Sequence, residues 1–306
     1  RKLGDAAPVD AHTLFAIGSI SKSFTAASLG MLVDEGKIKW GDPVAKHLPG
    51  FRLADPYVSQ EITVRDLLSH RSGLNRHEML WYGSGLSRDE LVKRLRLIKP
   101  DWSFRSKFGY QNLMYLTAGQ IIPAVTHQSW DEFVRRRLFT PLGMTESNTS
   151  VTQLSASQDV ATPHQKIDDV VQCIPWRNID NIGPAGSINS TVTDMAQWVR
   201  LHLNDGKRDQ QLLSSGIVRE MQMPQTVIRV EGAQAKLNPE THFMAYGLGW
   251  VVHDYRGRKV AQHGGGIDGM TALIAFVPEE KLGLIVLTNL NATSLPTAVM
   301  HHVVDA

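Results

Sequence analysis

Residues 13 to 35 read TLFAIGSISKSFTAASLGMLVDE. A short apolar stretch runs into Gly18 and Ser19. Phe24, Ala27, Met31 and Leu32 then recur at helical spacing, and Gly36 stands where a helix stops. At the mouth of that helix Ser19-Ile20-Ser21-Lys22 sets a hydroxyl and an amine three residues apart, on one helical face. A serine hydroxyl is a weak nucleophile at neutral pH and needs a base beside it. A lysine serves when burial or nearby positive charge lowers its proton affinity. The first helical turn also leaves backbone N–H groups unpaired, and that of Ser19 is a candidate oxyanion donor. The tetrad alone decides nothing. About one S-x-x-K arises by chance in a chain of this size, and a capping serine with a solvated lysine is spelled the same way.

Two more elements lie outward from this stretch. Tyr110-Gln111-Asn112 is the only Y-x-N and falls at a loop-to-helix boundary. A phenol near an ammonium group shifts toward phenolate and acts as a base, and the Asn112 amide is suited to orient a substrate carbonyl and bond the lysine. A half-buried tyrosine beside an asparagine helix cap is the plainer alternative. His263-Gly264-Gly265-Gly266 follows a strand, and Met270 opens the next. Glycines let a backbone approach a ligand closely, and the Gly266 N–H is a candidate second oxyanion donor; a flexible hairpin is the alternative. Gly264, Gly266 and Gly269 also spell G-x-G-x-x-G, but they join two strands without opening a helix, which fails the dinucleotide context. No G-x-S-x-G elbow accompanies HGGG, so an α/β-hydrolase is excluded. The 12 histidines contain no H-E-x-x-H pairing, so no metal site is expected.

The middle of the chain reads as helical. Thr63 is a cap for a short helix through Leu68, and Ser87 with Glu90 forms a capping box before the basic run LVKRLRLI, whose charges read as a solvated face. A long helix follows Asn112; Ser129 with Glu132, and Thr191 with Asp194, repeat the capping pattern. The last quarter changes period: residues 246 to 253, 258 to 263, 270 to 277 and 282 to 290 read as an antiparallel meander. The fold class is α+β, helices packed on one sheet. Of the 306 residues 42% are hydrophobic and 20% charged, with a net charge of +2, which gives no support to a nucleic-acid or anionic-membrane partner. No apolar run approaches the ~18 residues of a membrane span. The single cysteine, Cys173, excludes an internal disulfide and is expected to be a small buried hydrophobe. The start RKLGDAAPVD holds no signal segment, which leaves the compartment open.

The order S-x-x-K, Y-x-N, H-x-G resembles class C β-lactamases and related penicillin-binding-protein-like serine hydrolases. FAIGSISKSFTAASLGMLVDEGKI, ITVRDLLSHRSGL, FGYQNLMYLTAGQII, LFTPLGMTES, GPAGSINSTVTDMAQWV and HGGGIDGM resemble family segments in family order, over nearly the whole chain. The resemblance implies a β-lactamase/transpeptidase-like fold: a sheet region from residues 1–45 and 180–306, a mainly helical region from 46–179, and an active site in the cleft between. It implies Ser19 as the acylated nucleophile, Lys22 and Tyr110 as proton-handling partners, Asn112 and His263 to Gly265 as substrate contacts, and no cofactor. His70, Ser72 and Gly73 match a family turn and are given structural duty; Trp81 and Tyr82 either wall the cleft or pack, and Gly186 borders the site.

Two departures matter. The third motif usually starts with lysine, a fixed charge that holds the carboxylate of a β-lactam or a terminal D-Ala. A histidine with a proton affinity near ~6.5 is mostly neutral at pH 7. The chain therefore resembles the H-x-G subgroup of esterases, D-aminopeptidases and peptidase-like hydrolases. The expected activity is carboxylesterase-type, on small esters. D-amino-acid peptidase or weak β-lactamase activity is the alternative within the enzymes, and a non-catalytic binding protein keeping the fold is the alternative outside them. The second departure is length. Two or so strands and a terminal helix are expected to be missing or replaced, leaving a sheet edge through which a homo-oligomer would form.

Overall fold

The computed structural model describes residues 1–154, 159–232, 235–236 and 238–306. Its strands are β1 (Phe15–Ala16), β2 (His164–Ile167), β3 (Val170–Cys173), β4 (Asn189–Ser190), β5 (Thr226–Ile228), β6 (Met244–Tyr246), β7 (Val251–Tyr255), β8 (Arg258–Ile267), β9 (Met270–Val277) and β10 (Leu282–Thr288). Its helices are α1 (Ser21–Asp34), α2 (Val44–His47), α3 (Pro56–Glu61), α4 (Val64–Leu68), α5 (Arg88–Arg94), α6 (Asn112–Thr126), α7 (Trp130–Val134), α8 (Thr140–Leu142), α9 (Gly183–Gly186), α10 (Val192–Leu203), α11 (Ser215–Met221) and α12 (Leu295–Asp305).

Strand β9 is apolar almost throughout because both faces of the sheet are covered. Ala272, Ile274 and Phe276 enter the main core with Phe24 of α1 and Trp198 of α10. The alternate residues Leu273, Ala275 and Val277 pack with Met300 and Val304 of α12, as a period of two requires. The sheet runs β10-β9-β8-β7-β6-β5, antiparallel throughout. The terminal helix expected from the sequence to be missing is therefore present: α12 covers the sheet face opposite α1 and α10. Two strand boundaries also differ from expectation. Residues 246 to 253 are not one strand, because Gly247 to Trp250 turn the chain, with Gly247 N donating to Trp250 O at 2.8 Å. Gly249 sits at φ +81°, and a Cβ there would lie 2.8 Å from Ser23 Cα, so the turn needs glycine to pack on α1. The second strand does not stop at His263 but continues through the glycines to Ile267.

The caps read from the sequence are in place. Thr63 and Asp66 form a reciprocal capping box on α4, and Ser87 and Glu90 do so on α5. Ser129 and Thr191 accept N–H groups at the starts of α7 and α10. The cap of α6 is Gln111, not Asn112: Gln111 Oε1 accepts Leu113 N at 2.9 Å, which frees the Asn112 side chain. On the basic helix Leu91 and Leu95 are buried while Lys93, Arg94 and Arg96 face solvent. Cys173 departs from expectation. It is exposed, because β2 and β3 form a separate two-stranded hairpin whose second strand faces solvent along its length.

Helix α1 is buried except at its last two residues, so its polar side chains must find partners inside the protein. Ser21 Oγ donates to Gly18 O at 2.8 Å and accepts Ile188 N at 3.1 Å. Ser23 Oγ accepts Trp198 Nε1 at 3.0 Å, and Thr25 Oγ1 donates to Pro184 O at 2.7 Å and accepts Trp130 Nε1 at 2.9 Å. Phe24 stacks on Trp198 with ring centroids 4.0 Å apart; burying such a side chain fully stabilises by about 1.5–3 kcal/mol. The helix is held on every side, and so is whatever stands at its mouth.

Candidate active site

Ser19 lies in a 3-10 turn, Gly18–Ile20, that leads directly into α1. The turn presses against β8. Gly18 has φ +51°, and a Cβ on it would meet Gly266 N at 2.8 Å; a Cβ on Gly265 would meet Ile17 O at 1.9 Å. These two glycines are what allow the serine to approach the strand. Strand β7 pairs with β8 only as far as Val251 opposite Gln262, so from His263 onward β8 has, among the described residues, a strand partner on one side alone. Gly264 and Gly266 line the cleft with Ser19, while Gly265 is buried behind them. The role expected for Gly265 at the substrate is thus replaced by close packing.

Lys22 is fully buried. Its Nζ donates to Ser19 Oγ at 3.0 Å, Asn112 Oδ1 at 2.7 Å and Ala185 O at 2.8 Å. Burial holds its proton affinity well below the usual lysine value; Glu78 opposes that shift and Arg76 adds to it. A neutral amine has two N–H groups and a lone pair. With Asn112 and Ala185 taking the donors, the lone pair is left for the Ser19 proton.

The Tyr110 ring lies 4.7 Å from Lys22 Nζ. Burial pushes its hydroxyl up, against the pull of a side-chain hydrogen bond with Ser19. The shift toward phenolate expected from the sequence therefore runs the wrong way: a buried phenol stays protonated, which suits it to give a proton rather than to start by taking one. His263 is buried, and its proton affinity falls to about 3, through desolvation first and the Lys22 charge second. Its Nδ1 meets Gly264 O at 2.7 Å and its Nε2 meets Tyr246 Oη at 2.9 Å. These partners assign the proton to Nδ1 and make Nε2 the acceptor. The neutrality expected at this position is enforced more strongly than an exposed histidine would show.

The structure adds three residues. His70, in the turn given structural duty, packs tilted against Tyr110 and edge-on against Tyr246, with ring centroids 4.4 Å apart in each case, and its Nδ1 accepts Gln111 N at 3.0 Å. Glu78 accepts Asn112 Nδ2 at 3.2 and 3.3 Å. Arg76 donates from Nε to Glu78 at 2.8 Å and lays its guanidinium 4.8 Å from the Tyr110 ring centre. Nothing in the run Asn75-Arg76-His77-Glu78 signals this, because only the fold brings that loop to Asn112. Trp81 packs inward, whereas Tyr82 Oη donates to Asp268 at 2.6 Å, tying the loop to the β8–β9 turn. Gly186 adjoins Gly18. Ser19, Arg76, Tyr110, His263, Gly264 and Gly266 together face a cavity of about 520 Å³.

The family model described as Beta-lactamase matches residues 1–304. The unguisins hydrolase ungD of Aspergillus violaceofuscus is 31% identical over 317 residues, covering 95% of this chain and 55% of that protein. The chain thus spans little more than half the length of that relative. The octameric penicillin-binding protein homologue from Pyrococcus abyssi superimposes with a TM-score of 0.80 at 24% identity, covering 97% of this chain and 67% of the other. A D-stereospecific amidohydrolase from Streptomyces sp. does so with a TM-score of 0.79 at 25% identity, covering 96% and 87%. The fold is of the β-lactamase/transpeptidase-like class.

Proposed function

The chain belongs to the beta-lactamase family of serine hydrolases, and from that premise we propose that it works through an acyl-enzyme on Ser19. Lys22 takes the Ser19 proton, and Oγ attacks the carbonyl carbon of an ester or amide. The N–H groups of Ser19 and Gly266 hold the negative oxygen of the tetrahedral adduct. Its collapse breaks the bond to the leaving group, which takes the Tyr110 proton; the proton held by Lys22 then restores the phenol. Water adds to the acyl carbon, giving a proton to Lys22, and that proton returns to Ser19 Oγ as the acid leaves. The observation that carries this reading is the 3.0 Å contact between Lys22 Nζ and Ser19 Oγ, with Asn112 and Ala185 engaging the amine from its other sides.

Small esters are the substrates we propose first. Neutral His263 supports this, since it offers no fixed charge where a β-lactam carboxylate would be held. Amide bonds of D-amino-acid derivatives are the second reading, favoured by the likeness to a D-stereospecific amidohydrolase. A fluorophosphonate probe should label Ser19, as located by mass spectrometry, and Ser19→Ala should abolish both label and hydrolysis. Hydrolysis unchanged in Ser19→Ala would refute Ser19 as the nucleophile, and a parent protein with no turnover above background would belong to the non-catalytic class. Across p-nitrophenyl esters, D-amino-acid p-nitroanilides and nitrocefin, esters should turn over fastest; nitrocefin in first place refutes the reading of His263. We further propose a second copy of the chain as partner, joined along β10, a reading in keeping with an octameric relative of the same fold.

A further inference from the structure

We propose that Glu78 is a positioning residue of this site, anchoring the Asn112 amide and through it the amine of Lys22 against Ser19. The inference rests on the acyl-enzyme reading above. The contacts form one unbroken chain: Arg76 Nε to Glu78 Oε1 at 2.8 Å, Asn112 Nδ2 to both Glu78 oxygens at 3.2 and 3.3 Å, Lys22 Nζ to Asn112 Oδ1 at 2.7 Å, and Lys22 Nζ to Ser19 Oγ at 3.0 Å.

An amide has one accepting end and one donating end. Lys22 needs the accepting end, so the donating end of Asn112 must find an acceptor elsewhere, and Glu78 supplies it. Without that carboxylate, nothing among the contacts of Asn112 keeps the amide from turning its N–H groups toward Lys22, which would push the amine away. Glu78 is itself placed by design of the loop. It opens a 3-10 turn after His77, which is held at φ +47°. Asp101 ties that loop down, accepting Asn75 N at 2.8 Å and meeting His77 Nε2 at 3.0 Å. Arg76 lines the cleft, whereas both Glu78 oxygens are turned to the Asn112 amide, so the carboxylate acts through that amide.

The groups facing Lys22 are Glu78 and Arg76 from this loop, the rings of Tyr110 and Tyr115 at 4.7 and 5.5 Å, and the neutral imidazoles of His70 and His263. The two charged ones act in opposite directions on the Lys22 proton. Glu78 favours its retention, so removing that charge makes the amine easier to deprotonate; removing Arg76 does the reverse.

The test is the pH dependence of kcat/KM for a p-nitrophenyl ester, with fluorophosphonate labelling of Ser19 as the check on an intact site. In Glu78→Gln the acid limb should move to lower pH by about one unit, and in Arg76→Gln to higher pH by a similar amount. Glu78→Ala should lower kcat by about tenfold or more with little change in KM, and Glu78→Asp should recover part of the loss. A purely structural Glu78 would lower activity without shifting the limbs in opposite senses. Limbs that stay in place, or move together, while Ser19 still labels overturn this inference alone. An unlabelled Ser19 in the parent protein overturns the acyl-enzyme reading and this inference with it.

Discussion

Burial sets the chemistry of single residues here, and the histidines show it most simply. His202 on α10 is enclosed by Trp198, Trp250 and Phe276, with ring centroids at 4.7, 4.9 and 5.5 Å. Both of its ring nitrogens lack a partner among the described residues, and desolvation alone takes its proton affinity to about 3. An unfolded histidine binds its proton near ~6.5. The folded value lies below the unfolded one, so between those two values the unfolded chain takes up a proton that the native state refuses. Stability is therefore full above pH ~6.5 and falls as pH drops, by about 1.4 kcal/mol per pH unit for each such histidine. His263, also at about 3, adds a second contribution of the same sign. Replacing His202 by Phe removes the two orphaned nitrogens and one of those contributions. Urea melts should show His202→Phe more stable at pH 7 by about 1 kcal/mol or more, with a slope between pH 6 and 4 shallower by about 1.4 kcal/mol per unit. A variant less stable than the parent, with the slope unchanged, would mean the imidazole has a partner that these contacts do not show.

At the scale of elements, the contact between the Ser19 turn and β8 is the joint on which the candidate site depends. The three consecutive glycines of β8 are not equivalent. A Cβ on Gly265 would lie 1.9 Å from Ile17 O, backbone against backbone with no room to yield, whereas a Cβ on Gly266 meets nothing within 4 Å. Gly265→Ala should thus push the strand from the turn and reduce ester turnover by about 100-fold or more, the scale of a misplacement near 1 Å. Gly266→Ala should fold normally and keep its Ser19 label. Equal effects from the two substitutions would show that the glycines serve flexibility instead. The contrast also marks what sequence can carry. Ser19, Lys22, Tyr110 and Asn112 sit in short motifs, and the caps at Thr63 and Ser87 depend on neighbours three residues away, so all were legible. The alternation of buried and exposed glycines was not, because HGGG spells a loop as readily as a strand. The Gly247 turn was hidden by Leu248 and Trp250, which are buried like strand residues. Glu78, Arg76 and His70 gave no local signal, since each acts only through a partner distant in sequence.

At the scale of the molecule, the six-stranded sheet ends in two edges of unequal length. Its β5 end is short, three residues, and β10 at the opposite end runs for seven residues as LGLIVLT. Among the described residues strand β10 pairs only with β9. It carries no charge, no proline and no bulge, the devices by which edge strands usually avoid pairing with another chain. Its two faces are already occupied: Ile285 and Leu287 pack toward the main core, and Leu282 and Leu284 toward α12. What the described residues leave without a strand partner is backbone, a row of N–H and C=O groups, and the partner proposed for that row is an identical strand run antiparallel across a two-fold axis. Sedimentation velocity should show a dimer growing with concentration. In hydrogen exchange, alternate β10 amides should slow as the dimer forms while β5 amides do not change, because only every second N–H of an edge strand points outward. A monomer at every concentration, with those amides exchanging freely, would leave the edge to a different chain. A dimer in which β10 exchange is unaffected would place the contact on another surface. Because β10 is two strands removed from β8, this pairing should leave kcat/KM the same on either side of the dimer transition.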